Sequence, residues 1–93
     1  MTRQEAIAIV NEIEKAVRHD SGTADPVATI RDLVDRLHAD TFGLGGIGKK
    51  LKIIQGRLKQ LPSEAAAYDI RLECQSLRDL IRHQNTWPPV TGH

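Results

Sequence analysis

Residues 2–17 read TRQEAIAIVNEIEKAV, and this stretch decides the fold class. Thr2 and Glu5 form the T-x-x-E pattern of a capping box, in which each side chain accepts a hydrogen bond from the other residue's backbone N–H. Ala6, Ile9, Val10, Ile13, Ala16 and Val17 then recur at intervals of three and four, a continuous apolar stripe along one side of a helix. Arg18 and His19 suit the negative pole of the helix dipole, and Asp20-Ser21-Gly22 ends the segment. No stretch of the chain alternates at period two for long enough to predict a strand.

Working outward, three more segments have the same period. Asp25-Pro26 predicts a second helix start, since Asp caps well and Pro at the first helical position has no N–H to leave unpaired. Val27, Ile30, Val34 and Leu37 make its stripe, flanked by Leu33, and the helix fades through Thr41-Phe42 into Gly43. Residues 43–48 hold four of the seven glycines, a density that favours a turn. A third helix runs from Ile47 or Gly48 to Gln60. Ile47, Leu51, Ile54, Leu58 and Leu61 share one face, and Lys49, Lys50, Lys52, Arg57 and Lys59 lie on the other. Gly56 lies among these basic residues and weakens the helix by about 1 kcal/mol relative to Ala; tolerance or close approach of another backbone are its two readings. Pro62 and Ser63 break the chain and cap a fourth helix, Glu64 to Arg82 or His83. Its main stripe is Ala67, Ile70, Cys74, Leu77 and Ile81. A second apolar strip of Ala65, Tyr68 and Leu72 lies well around the wheel.

The expected architecture is all-α: a small antiparallel four-helix bundle over residues 1–84, with an extended, proline-containing C-terminal tail over 85–93. Ninety-three residues make one small domain, and three aromatic residues in the whole chain leave the core to Ile, Leu, Val and Ala. Such a core is thin, so a homodimer that covers Tyr68 and Leu72 is expected to help.

Thirteen Lys and Arg against twelve Asp and Glu leave a net charge of +1, which exerts no global pull toward nucleic acid or an anionic membrane. One cysteine excludes an internal disulfide and a cysteine-cluster metal site. No apolar run spans a bilayer, and acidic residues stand where a signal peptide needs its apolar core, so no membrane association and a cytoplasmic location are expected. His19, His38, His83 and His93 show no zinc-binding spacing, and no serine has a neighbouring base, so neither a metal, a cofactor nor catalysis is expected.

Gly43-Leu44-Gly45-Gly46-Ile47-Gly48-Lys49-Lys50 fits G-x-x-x-x-G-K and resembles the phosphate-binding loop in nucleotide-binding switch domains of plant resistance proteins. That resemblance implies backbone N–H groups around phosphates, with Lys49 reaching the terminal ones. Lys50 stands where the motif has Ser or Thr for Mg²⁺, and helix rather than strand is predicted ahead of the loop. His38, with Gly43 and Gly48 after it in a four-helix chain, resembles histidine phosphotransfer domains, which implies phosphoryl transfer through the imidazole. Thr41 and Phe42 occupy the Lys and Gly places of that family's H-x-x-K-G motif. The hairpin from Gly48 to Glu64 resembles the tRNA-contacting coiled coil of phenylalanyl-tRNA synthetase alpha chains.

The reading that best fits these features is a small non-catalytic module for protein–protein interaction: an adaptor, inhibitor, immunity or phage-type accessory protein. Tyr68, Leu72 and Trp87 are its expected contacts, with Trp87 beside Pro88-Pro89 either anchoring in a partner or folding back over the bundle. A nucleic-acid-binding regulator that uses the basic face Lys49, Lys52, Arg57 and Lys59 is the competing reading. Nucleotide binding through Gly43–Lys49 and phosphotransfer through His38 are minor ones.

Overall fold

The computed structural model describes residues 1–18, 22 and 24–87. Within them the chain forms α1 (Arg3–Val17), α2 (Pro26–Thr41), α3 (Ile47–Leu58) and α4 (Glu64–His83). The helix starts follow their caps. Thr2 and Glu5 exchange both capping-box hydrogen bonds at 3.1 Å, and the hydrogen bonds from Thr2 hold the exposed Glu5 carboxyl below its ordinary range. Asp25 Oδ1 accepts from the Ala28 N–H, and Ser63 Oγ accepts from the Ala66 N–H.

Side-chain partners between helices give their directions. Arg78 of α4 donates to Asn11 and Glu14 of α1 at 3.0 and 2.8 Å, while Arg3 donates to the Gln84 carbonyl just past α4, so α1 and α4 are antiparallel. Lys50 meets Glu73 and Arg57 meets Asp69, which sets α3 antiparallel to α4. The Met1 amino group lies 3.5 Å from Asp40, placing the start of α1 beside the end of α2. Each helix therefore touches its two neighbours in a ring, and among the described residues no diagonal pair of helices makes a close backbone approach. This is an antiparallel four-helix bundle. None of its helices is long and apolar enough to cross a membrane.

The four apolar stripes converge on one aliphatic interior. Ile13, Ile30, Leu37, Ile47, Leu51, Ile54, Ile70, Leu77 and Ile81 are the large side chains most completely removed from water. Leu33, placed at the flank of α2 by its spacing, belongs to this core, and on α4 Ala66 is buried beside the expected Ala67 while Ala65 is exposed. Thr41 is the one buried polar side chain among the described residues. Its hydroxyl donates to Leu37 O at 2.8 Å and accepts from the Gly43 N–H at 3.3 Å, which closes the last turn of α2 without an orphaned group.

Of the two expectations for Trp87, the fold-back over the bundle is the one observed. Gln84 is extended, but Trp87 folds back, packs against the core cluster and donates its indole N–H to Met1 O at 3.0 Å. The fold-back hydrogen-bonds the indole N–H and covers apolar surface that an outstretched Trp would leave wet. The expected extended run over 88–93 lies outside the described residues, as does His19, expected to suit the negative pole of the first helix.

Two glycines have opposite roles. The Gly48 N–H donates to Gly43 O at 3.0 Å, and a Cβ on Gly48 would stand 2.8 Å from that oxygen and 3.1 Å from Gly43 Cα. Backbone lies against backbone there, so Gly48→Ala destabilises the protein by ~2 kcal/mol through forced displacement. A Cβ on Gly56 meets nothing within 4 Å, so Gly56→Ala stabilises it by up to ~1 kcal/mol. Urea unfolding midpoints moving in opposite directions for the two variants is the expected result.

Candidate functional site

Tyr68 and Leu72 lie one turn apart on the outward side of α4 and are 55% and 41% exposed. Between α4 and α1, beside them, runs a shallow groove of about 340 Å³ lined by Glu14, Arg18, Tyr68, Arg71, Leu72 and Gln75. Ala65, also exposed, continues the strip toward the start of α4. The position of this strip follows from the core. Ala66, Ala67, Ile70, Cys74, Leu77 and Ile81 take the inner face of α4, and residues 65, 68 and 72 fall on the opposite side of the 3.6-residue turn. The strip is an apolar surface with cations at its edge, and it belongs to no internal contact that the core requires.

The basic face predicted on α3 divides in two. Lys50 lies 3.4 Å from Glu73, and Arg57 lies 3.4 Å from Asp69, so these two cations are turned toward α4. Arg57, expected on the free face, is therefore partly neutralised by its neighbour. Lys49, Lys52 and Lys59 are exposed, and among the described residues none has a carboxylate within 4 Å. Trp87, expected either to anchor in a partner or to fold back over the bundle, is seated on the bundle, with its indole N–H on Met1 O.

His38 is exposed near the end of α2 and lines a groove of about 610 Å³ between α2 and α3 with Val34, Asp35, Gly48, Lys49, Leu51, Lys52 and Gln55. Its imidazole lies against Gly43, where an added Cβ would be 3.0 Å from Nε2. The glycine segment that follows does not offer an open cradle of amides at its helix start. The Ile47 N–H donates to Leu44 O and the Gly48 N–H to Gly43 O, and helix α2, not a strand, leads into the turn. The two leading N–H groups that a phosphate would use are thus already engaged.

Among the described residues no group of three or more His, Cys, Asp and Glu side chains gathers in a metal-binding arrangement. Cys74 is buried in the core. Burial pushes its thiol up from 9.0 to about 12, with the Glu14 carboxylate adding, Arg78 opposing and Glu73 adding again. A thiol so placed is protonated and shielded at neutral pH, the reverse of an activated nucleophile.

Sequence reasoning missed Phe42. It ends α2 in the left-handed conformation, φ 55° and ψ 21°, with its ring 77% exposed. A side chain of this size rarely adopts that conformation, and here no burial compensates it. The signal was present as the position itself, one residue past the last helical period and ahead of Gly43, where glycine or asparagine is the ordinary choice.

No protein-family profile, curated protein or solved structure matches this chain.

Phe42→Gly relieves the left-handed strain without loss of packing and raises stability by ~1 kcal/mol, read as a higher urea midpoint. The Cys74 thiol is inert to a chromogenic disulfide reagent at pH 8 in the native protein and reacts stoichiometrically on unfolding. Because the folded chain keeps a proton that the unfolded chain releases above pH 9, this group's contribution to stability falls as pH rises from 9 toward 12. A Cys74→Ala variant lacks that component of the alkaline decline.

Proposed function

We propose that this chain is a small non-catalytic interaction module that binds another protein, or a second copy of itself, through the outward strip of α4 centred on Tyr68 and Leu72. The observation that carries this reading is the exposure of both side chains beside a core that is closed without them. An aromatic ring next to a leucine, with Arg18 and Arg71 at the margin, has the composition of an interface centre, where Tyr and Arg are enriched and a polar rim excludes water. The burial of Cys74 and the engaged N–H groups at the start of α3 favour binding over chemistry as the chain's role.

The competing nucleic-acid reading keeps Lys49, Lys52 and Lys59, while Lys50 and Arg57 are partly neutralised by α4 carboxylates. With a net charge of +1 over the chain, the phosphate-neutralising term is small.

The double substitution Tyr68→Ser and Leu72→Ser tests the proposal. Its thermal unfolding stays within ~0.5 kcal/mol of the parent because neither residue is buried in the core. Its association is lost, both in sedimentation equilibrium at high micromolar concentration and in affinity capture from the native host. A parent that is strictly monomeric and captures nothing, or a double variant that associates as the parent does, overturns the reading.

A further inference from the structure

We propose that the outward face of α3 is a second docking surface, which seats an acidic amphipathic helix of another protein along Lys49, Lys52, Ile53, Gly56 and Lys59. Lys49, then Lys52 and Ile53 side by side, then Gly56, and Lys59 as the helical C-cap, lie three or four residues apart along one side, opposite the core residues Ile47, Leu51, Ile54 and Leu58. The line spans eleven residues, whose ten steps make ~15 Å or nearly three turns, a span that one facing helix can follow.

Three independent features of this face are left unused among the described residues. The first is charge: Lys49, Lys52 and Lys59 have no carboxylate within 4 Å among the described residues, whereas Lys50 and Arg57, on the side toward α4, both do. The second is Ile53, a large aliphatic side chain 36% exposed in the middle of the cations. The third is Gly56, which weakens the helix and meets no neighbour that would forbid a side chain. The distance between packed helices depends on the side chains at the crossing, and a glycine there lets a second backbone come close. A helix crossing at Gly56 would rest its apolar seam on Ile53 and set its flanking carboxylates toward the three lysines.

The same features disfavour a nucleic-acid occupant. Ile53 lies where a phosphate backbone needs donors, and α3 has no aromatic side chain on which a base could stack. Carboxylates also border the stripe on both sides, with Asp35 in the groove toward α2 and Asp69 and Glu73 on α4. A broad polyanion meets them across the width of the face, while a single helix lying along the stripe covers only its midline. This surface is distinct from the Tyr68–Leu72 strip and stands without it.

The test uses the full chain and two fluorescein-labelled probes: a three-heptad helical peptide with a Leu/Ala seam flanked by glutamates, and a 20-base-pair duplex DNA. Fluorescence anisotropy at low salt is expected to show saturable peptide binding that weakens ~10-fold when Lys52 and Lys59 are both changed to Glu. Gly56→Leu is expected to weaken it by a similar ~10-fold while raising the melting temperature, because leucine is the better helix former. That combination separates a filled docking site from a damaged fold. Tyr68→Ser with Leu72→Ser leaves peptide affinity unchanged, so failure of the α4 reading and failure of this one are distinguishable. No saturation at 500 µM peptide (~500-fold above a micromolar Kd), equal affinity for Gly56→Leu and the parent, or tighter binding of the duplex than of the peptide overturns the proposal.

Discussion

Each helix must hide one aliphatic stripe against two neighbours, and everything else in the molecule depends on how completely that is achieved. Isoleucine, leucine, valine and alanine interlock around a common axis with no ring among the fully buried side chains. Branched aliphatics have few rotamers and fill space densely, so a small bundle can be well packed without aromatic bulk. Closure of this interior gives the outer residues their meaning. An apolar side chain left outside contributes almost nothing to folding, so Tyr68 and Leu72 are free to serve something beyond the monomer.

Polar contacts do the directional work that a uniform aliphatic core cannot. Arg78 reaches Asn11 and Glu14, Arg3 holds the Gln84 carbonyl, and the Gln84 amide donates to Gly45 O at 3.0 Å. Three segments far apart in the chain therefore meet at one end of the bundle. Exposed pairs of this kind each contribute little energy, but they fix which neighbour a helix faces, a choice that interchangeable Leu and Ile positions leave open.

Helix identity was legible because periodicity and caps agree: the capping box at Thr2, Asp25 ahead of Pro26, and Ser63 after Pro62 all sit where the hydrogen bonds are made. The outward position of Tyr68 and Leu72 was legible for the same reason, since an angle on a wheel carries directly into three dimensions. Three things were not legible. The separation of Lys50 and Arg57 from the other cations depends on which helix lies beside α3, and a single-helix pattern does not contain that information. The fold-back of Trp87 was one of its two expectations, but its seat on Met1 O lies past the last periodic residue and follows from the bundle's end rather than from local spacing. The left-handed Phe42 defies the usual chemistry of its position. Places where local preference is set aside, Phe42 and Gly56 among them, are where a demand other than folding is expected to show.

An even number of helices returns a chain to the pole from which it set out, and here the indole of Trp87 clasps the first residue's carbonyl at that pole. A segment joined ahead of Met1 would emerge there, clear of the long flanks formed by α3 and α4. Met1 and Trp87 thus lock that pole together, while the flanks running away from it carry the exposed Lys49, Lys52, Tyr68 and Leu72.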